Sequence, residues 1–259
     1  MIKTGHDLPI EEVAHRYQML TDQRGMLEEF YERILDLVGP LSGLRVLDVG
    51  CGDGILLKKI AHHFPTAELF GADIVPSSSN LEKNRIRLVT ADLRHDLPFQ
   101  SKCMDLVICS ETLEHLVDPD RQLKEMTRVL RTGGRLVVTI PNATGYFPFH
   151  YLGWWIPTRT LRRKFLPYEH PANTKQPVDT MYEFHEIVEL VESNDLKIQR
   201  LVGYRYFRYL LGLRFIGSFY KILHPLVERG MKRVGGERFA YNLILLLVPR
   251  APASSEAHS

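Results

Sequence analysis

Cysteine is scarce in this 259-residue chain: only Cys51, Cys103 and Cys109 occur. They form no CxxC pair and no even disulfide set, a pattern suited to a reducing compartment. Long apolar runs are missing too. No stretch of about 18 apolar residues appears, so a membrane-spanning helix is not expected. The opening MIKTGHDLPIEEVAHRYQ lacks an apolar core of the signal-peptide kind and is not expected to act as one. Charge of one sign is lacking as well: 33 basic against 31 acidic side chains leave +2, which gives no whole-chain case for nucleic acid. No internal repeat is visible. With 44% hydrophobic and 25% charged residues, disorder, collagen-like repeats and coiled coil are excluded. These bounds fit a soluble, intracellular protein of enzyme size.

What is present changes period along the chain. Residues 11–38 place Val13, Tyr17, Leu20, Met26, Phe30, Ile34 and Leu37 at helical spacing, with Gly39-Pro40 as a stop. From Leu44 onward, short β-branched runs alternate with helical stretches: LRVLDV, GILLKKIAHHF, AELFGADI, IRLVTAD, MDLVICS, a helix over 118–131, then GRLVVTI. Such alternation implies a parallel sheet covered by helices on both faces, with ligands at the carboxyl ends of its strands. A helix fits 181–193, LKIQRLV fits a strand, and YNLILLLVPR closes with another. The tail APASSEAHS reads as disordered.

The strongest signal is Val46-Leu47-Asp48-Val49-Gly50-Cys51-Gly52-Asp53-Gly54, an apolar strand running into glycines at alternate positions. Glycine there permits a sharp turn and lets a ligand approach the backbone without Cβ atoms in the way. The dinucleotide pattern GxGxxG would need a third glycine at position 55, which is Ile55. Asp48 just before the loop would also repel a pyrophosphate, so a ligand with a cationic end fits better. Asp73 ends the next strand, where a carboxylate can accept hydrogen bonds from ribose hydroxyls. Asp92-Leu93 ends the third, an acceptor beside an apolar residue that could meet an adenine amino group and ring. Taken singly, the glycines fit a plain tight turn, Asp73 a turn residue or helix cap, and Cys51 a small filler.

Taken together, DVGCGDG, the GAD acid, TADL, CSETLEHL and GGRLVVTIPN resemble the class I S-adenosylmethionine-dependent methyltransferases. Order and spacing are similar to the branch that includes ubiquinone- and menaquinone-type O-methyltransferases and generic small-molecule enzymes. The resemblance covers residues 40–142 well and 180–200 loosely. It implies a Rossmann-like, doubly wound α/β fold: a mostly parallel seven-stranded sheet, helices on both faces, and a helical insertion. It implies an N-terminal helical segment at 1–40, a methyltransferase domain at 41–250, and a tail at 251–259. Within that domain, 143–180 and 204–234 would form an aromatic and basic lid and insertion. By the same resemblance Asp48, Gly50, Cys51, Gly52 and Gly54 would line the methionine part of S-adenosylmethionine. Asp73 and Ile74 would lie at the ribose, Asp92 and Leu93 at the adenine, and Ser110 and Glu111 would flank the cofactor at the fourth strand.

Methyl transfer to oxygen asks for a base, and Glu114-His115 after the fourth strand are the candidates for catalysis. In the resembling O-methyltransferases the matching Glu-x-x-Glu-His positions are associated with a divalent metal. That points to Mg²⁺ at Glu111, Glu114 and His115, although Mg²⁺ prefers an all-oxygen shell. A third reading has Glu114-His115 merely orienting the loop. His150, His170 and His185 are the runners-up for the base. The nucleic-acid methylating motif, Asn/Asp-Pro-Pro-aromatic, is replaced by CSETLEHL, so the expected acceptor is a small or lipid-like molecule.

The additions carry the rest. Tyr146, Phe147, Phe149, Tyr151, Trp154 and Trp155 could close over an apolar acceptor, or simply pack the insertion. Residues 200–233 hold eight lysines and arginines against the single acid Glu228, with aromatics interleaved. This pattern suits peripheral contact with an anionic membrane, a plain helical hairpin packed on the domain with solvated arginines, or nucleic acid, for which no fold signature is present. The expectation is therefore a cytoplasmic, membrane-associable enzyme that methylates an oxygen on an apolar or lipid-linked compound. Two other classes stand beside it: a catalytically silent cofactor-binding relative acting as a membrane-associated partner, and a nicotinamide-dependent oxidoreductase, against which Ile55 argues.

Overall fold

The computed structural model describes residues 24–74, 85–146, 180, 182–206 and 216–250. Strand β1 (Arg45–Val49) owes its place to Val46, Leu47 and Val49, all fully buried. It leads through the glycine loop into helix α2 (Ile55–His63), which returns to β2 (Glu68–Asp73) and then β3 (Ile86–Thr90). Beyond β4 (Met104–Ser110) come a short 3₁₀ turn (Leu113–His115), α3 (Pro119–Val129) and β5 (Leu130–Pro141). The later elements are α4 (Phe184–Ser193), β6 (Leu196–Tyr204), α5 (Ile216–Arg233) and β7 (Asn242–Pro249). Helix α1 (Arg24–Val38) precedes them all.

The sheet has seven strands in the order β3-β2-β1-β4-β5-β7-β6. Strands β3, β2, β1, β4 and β5 pair in parallel, and β7 inserts antiparallel between β5 and β6. The expected mostly parallel, doubly wound sheet is what forms. Its order reverses between β1 and β4, which opens a crevice at their carboxyl ends.

Successive strand residues point to opposite faces, and the two faces make two cores. On one, Leu47, Val49, Val107 and Val138 pack with Leu123 and Met126 of α3 and Ile187 and Val191 of α4. On the other, Val46, Leu106, Ile108 and Val137 pack with Ile34 and Val38 of α1 and Leu57 and Ile60 of α2. Each such side chain contributes about 1.5–3 kcal/mol by leaving water. Helix α1 thus shares a core with the sheet.

Local signals set the helix ends. Asp118 accepts the Arg121 N–H at 3.0 Å, and Pro119 occupies the first turn, so α3 begins where its cap lies. Gly39, in left-handed backbone (φ 70°), donates to the Leu35 carbonyl and stops α1. Helix α4 starts at Phe184 rather than 181, because Glu183 and Glu186 form a reciprocal capping box there. The helical expectation over 11–23 and most of the 143–180 insertion lie outside the described residues.

Candidate cofactor and active site

The glycine loop sits in the crevice. Gly50, Gly52 and Gly54 all adopt left-handed backbone, with φ of 77°, 48° and 64°. Gly50 and Cys51 both donate to the Ala72 carbonyl, which ties the loop to β2. A Cβ at Gly50 would lie 2.3 Å from Thr112 Oγ1, so glycine is required by conformation and by the loop after β4 packed on it. At Gly52, by contrast, the space a Cβ would fill is open, and its N–H donates to Asp73 Oδ2 at 2.9 Å. The Cys51 thiol turns inward: a Cβ on Gly71 would meet its sulfur at 2.7 Å. Burial, then the charges of Asp48 and Asp73, push that thiol well above the ordinary range, so it stays protonated and inert.

Asp48 is the anomaly of β1, a carboxylate only 3% exposed in an apolar strand. Among the described residues no cation pairs with it. Burial, reinforced by the charge of Asp73, pushes its carboxyl up to about 7. Tyr31 on α1 faces the same place. Its phenol is driven up by burial and then by the charges of Asp48, Glu111 and Asp53, all within electrostatic reach of it. A site of this kind favours a cationic ligand, and its open, glycine-lined floor admits one closely. The residues fit S-adenosylmethionine, which carries an ammonium and a sulfonium.

The carboxyl end of β4 contributes the next group. Ser110 lies beside Thr139, whose hydroxyl is 3.3 Å from its own. Glu111 takes left-handed backbone (φ 50°), unusual for a residue with a side chain. Its N–H donates to Thr139 Oγ1 at 2.8 Å, while its carboxylate accepts from the Thr139 hydroxyl at 3.1 Å and from Asn242 Nδ2 at 3.2 Å. Thr139 and Asn242 are both buried. The Asn242 Oδ1 is buried with no hydrogen-bond partner among the described residues, which costs about 1–3 kcal/mol.

Glu114 and His115 sit together on the 3₁₀ turn, with His115 Nε2 3.6 Å from Glu114 Oε1. Glu114 is 2% exposed and His115 16%. The Glu114 charge acts on Cys109 and Tyr182, whereas Glu111 is turned to Thr139, Asn242 and the Tyr31 side. Glu111, Glu114 and His115 therefore do not converge: among the described residues no three His, Cys, Asp or Glu side chains form a metal-holding group. The Mg²⁺ expectation draws no support from the described residues, because the backbone turn at Glu111 directs its carboxylate to Thr139 and Asn242. His185 is 67% exposed beside Glu183, and His150 and His170 lie outside the described residues.

Asp92 follows β3, with Leu93 packed against the core beside it. Burial would raise this carboxyl, but side-chain and backbone hydrogen bonds from Arg94 outweigh it and hold it below the usual range. Arg94 grips both oxygens at 2.8–3.0 Å. Ile74 continues directly from Asp73, half-buried. Sequence reasoning missed Tyr31, Thr112, Thr139 and Asn242. Two of them left a signal, since Thr139 in LVVTIP and Asn242 in NLILLLVP interrupt strands otherwise apolar.

Comparison with known proteins follows the same lines. Residues 47–138 match the family described as Methyltransferase domain. The ubiquinone biosynthesis O-methyltransferase of Coxiella burnetii is 32% identical over 108 residues, 39% of this chain and 45% of that protein. The ubiquinone/menaquinone biosynthesis C-methyltransferase of Hahella chejuensis is 33% identical over 140 residues, 49% of this chain and 56% of that protein. The chain thus spans about half the length of these curated relatives. Among solved structures, a methyltransferase from Haloferax volcanii in complex with the activator Trm112 superposes with a TM-score of 0.59. It is 16% identical and covers 94% of this chain and 100% of that one, a likeness of fold. The strand order, the glycine loop and the matched core together support a class I S-adenosylmethionine-dependent methyltransferase.

Proposed function

We propose that this protein transfers a methyl group from S-adenosylmethionine to an oxygen of an apolar or lipid-linked small molecule. The observation that carries this is the glycine cradle beside Asp48, a buried carboxylate raised to about 7 by its burial and by the charge of Asp73. The loop of Gly50, Cys51, Gly52 and Gly54, with Asp48, would hold the methionine part. Asp73 and Ile74 would lie at the ribose, Asp92 and Leu93 at the adenine, with Ser110 and Glu111 flanking. Bound there, the cofactor supplies an activated methyl group with its own leaving group, so the chain's task is alignment and exclusion of water. His115 accepts the proton of the acceptor hydroxyl, and Glu114, 3.6 Å away, orients the imidazole.

The acceptor class draws support from the two relatives, both named for quinone biosynthesis, one an O- and the other a C-methyltransferase. The Glu114–His115 pair, with Glu114 buried, supplies the base that an oxygen acceptor needs. No described helix is long and apolar enough to cross a membrane. Peripheral contact of 200–233 with an anionic surface draws support from α5. Leu226 on it and Val234 just beyond its end are 58% and 77% exposed, alongside exposed Arg229, Lys232 and Arg233. The one acid of that stretch, Glu228, is turned inward to Arg33. We place this activity in the cytoplasm, where Cys51, Cys103 and Cys109 stay reduced.

Calorimetry with S-adenosylhomocysteine tests the cofactor. Binding by the wild type that is lost in Asp73→Ala is expected; silence of the wild type, or undiminished binding by the variant, overturns the proposal. Labelled methyl from S-adenosylmethionine should enter the organic phase of a cell extract, and His115→Ala should slow that transfer. Co-sedimentation with phosphatidylglycerol vesicles should retain the wild type and release an Arg229→Glu/Arg233→Glu double variant.

A further inference from the structure

Two local costs fall on the same spot at the carboxyl end of the sheet. Glu111 holds left-handed backbone although it carries a full side chain. Asn242, almost wholly buried at the start of β7, leaves its Oδ1 without a partner among the described residues. An apolar residue of the same size would remove the second cost, and the neighbouring strand residues Leu243, Ile244 and Leu245 are all apolar and fully buried. What asparagine supplies, and leucine could not, is the N–H from Nδ2 to Glu111 Oε2. Thr139 grips the other carboxylate oxygen, and also accepts the Glu111 backbone N–H. The carboxylate is therefore fixed from β5 and β7 at once, two strands that are neighbours in the sheet only through tertiary pairing. Such accumulation of strain and unsatisfied polarity around one charged group marks function.

We infer that Asn242 is a positioning residue: with Thr139 it pins the Glu111 carboxylate at the rim of the glycine loop, where that charge selects a ligand with a cationic centre over its neutral counterpart. This rests on the cofactor reading above. Glu111 directly precedes Thr112, whose side chain packs on Gly50 of the glycine loop, and its charge reaches the same Tyr31 hydroxyl as those of Asp48 and Asp53. Sulfonium and thioether differ by one positive charge and one methyl group, so S-adenosylmethionine and S-adenosylhomocysteine are the probes that read this role. Asn242 touches neither probe in this account and acts only through Glu111.

The test compares calorimetric affinities for both probes in the full chain. Asn242→Leu should melt at the wild-type temperature or above, since it removes a buried unsatisfied oxygen. It should nevertheless lose about tenfold in affinity for S-adenosylmethionine, the scale of one charge-assisted hydrogen bond, and much less for S-adenosylhomocysteine. Glu111→Gln should show the same selective loss, and the double variant should add little to either. If Asn242→Leu does not fold, Thr139→Val loosens the same carboxylate from the other side and should show the same selectivity. An unchanged ratio of the two affinities in a folded variant, or fully additive losses, overturns the inference while leaving the cofactor reading intact. If the wild type binds neither probe, the cofactor reading falls, and the inference with it.

Discussion

Two carboxylates, Asp48 and Glu228, are buried to a similar degree and treated in opposite ways. Glu228 on α5 meets Arg33 on α1 in a two-pronged ion pair of 2.7 and 3.0 Å. The Arg33 guanidinium in turn lies 4.5 Å over the Tyr204 ring, against which Phe30 stacks. That clasp joins the first and last described helices through the end of β6. Asp48 receives no such cation among the described residues, and its carboxyl rises to about 7. Where two helices must be held, the chain supplies the counter-charge itself. At the cradle proposed for the cofactor it withholds the counter-charge, and the ligand-free protein bears the cost.

The contrast can be broken most forcefully at Asp48. Asp48→Asn should weaken S-adenosylmethionine binding by at least about tenfold, the loss of one close opposite charge. The same change should raise the melting temperature of the ligand-free protein by a few degrees at pH 8, as seen by calorimetric melts. A fall in both quantities would mean that Asp48 serves the fold. Glu228→Gln should do the reverse. Leaving Arg33 half-buried without its partner should lower stability by about 2 kcal/mol in denaturant titration, with cofactor affinity unchanged.

pH sharpens the comparison further. A carboxyl raised from its ordinary range to about 7 binds more protons folded than unfolded, so its contribution to apo stability falls as pH rises from about 4 through 7. Ionised Asp48 favours a cation, so cofactor affinity should climb between pH 6 and 7.5 and then level off. Binding isotherms across that window should show the climb in the wild type and its loss in Asp48→Asn. The smallest effect is expected at Cys51, whose thiol fills the space under the loop. Cys51→Ala should cost about 1 kcal/mol of stability and leave alkylation of the native protein as slow as before.

Much of the frame was legible from residues alone. The β-branched runs gave β1, β2, β4 and β5 because each has apolar side chains for both faces of a covered sheet, whereas edge strand β3 buries only Ile86. The glycines at 50, 52 and 54 announced a sharp turn, and the left-handed backbone found there is one that glycine adopts at least cost. Asp73 was legible as the acid ending β2, but its bond to the Gly52 N–H was not. Helix α1 was legible as a helix, not as the element that brings Tyr31 to the acidic rim.

Local chemistry, then, determined the turn, the strand runs, the helix stops and the acids at strand ends, since each depends on neighbours within a few residues. Tertiary structure decided the rest. The antiparallel entry of β7 beside β5 carries Asn242 to Glu111, 131 positions away in the chain. The backbone turn at Glu111 separates its carboxylate from Glu114 and His115, although the three lie within five residues. Pairing of distant strands sets which side chains share a space, because a sheet's register is fixed by its whole buried face.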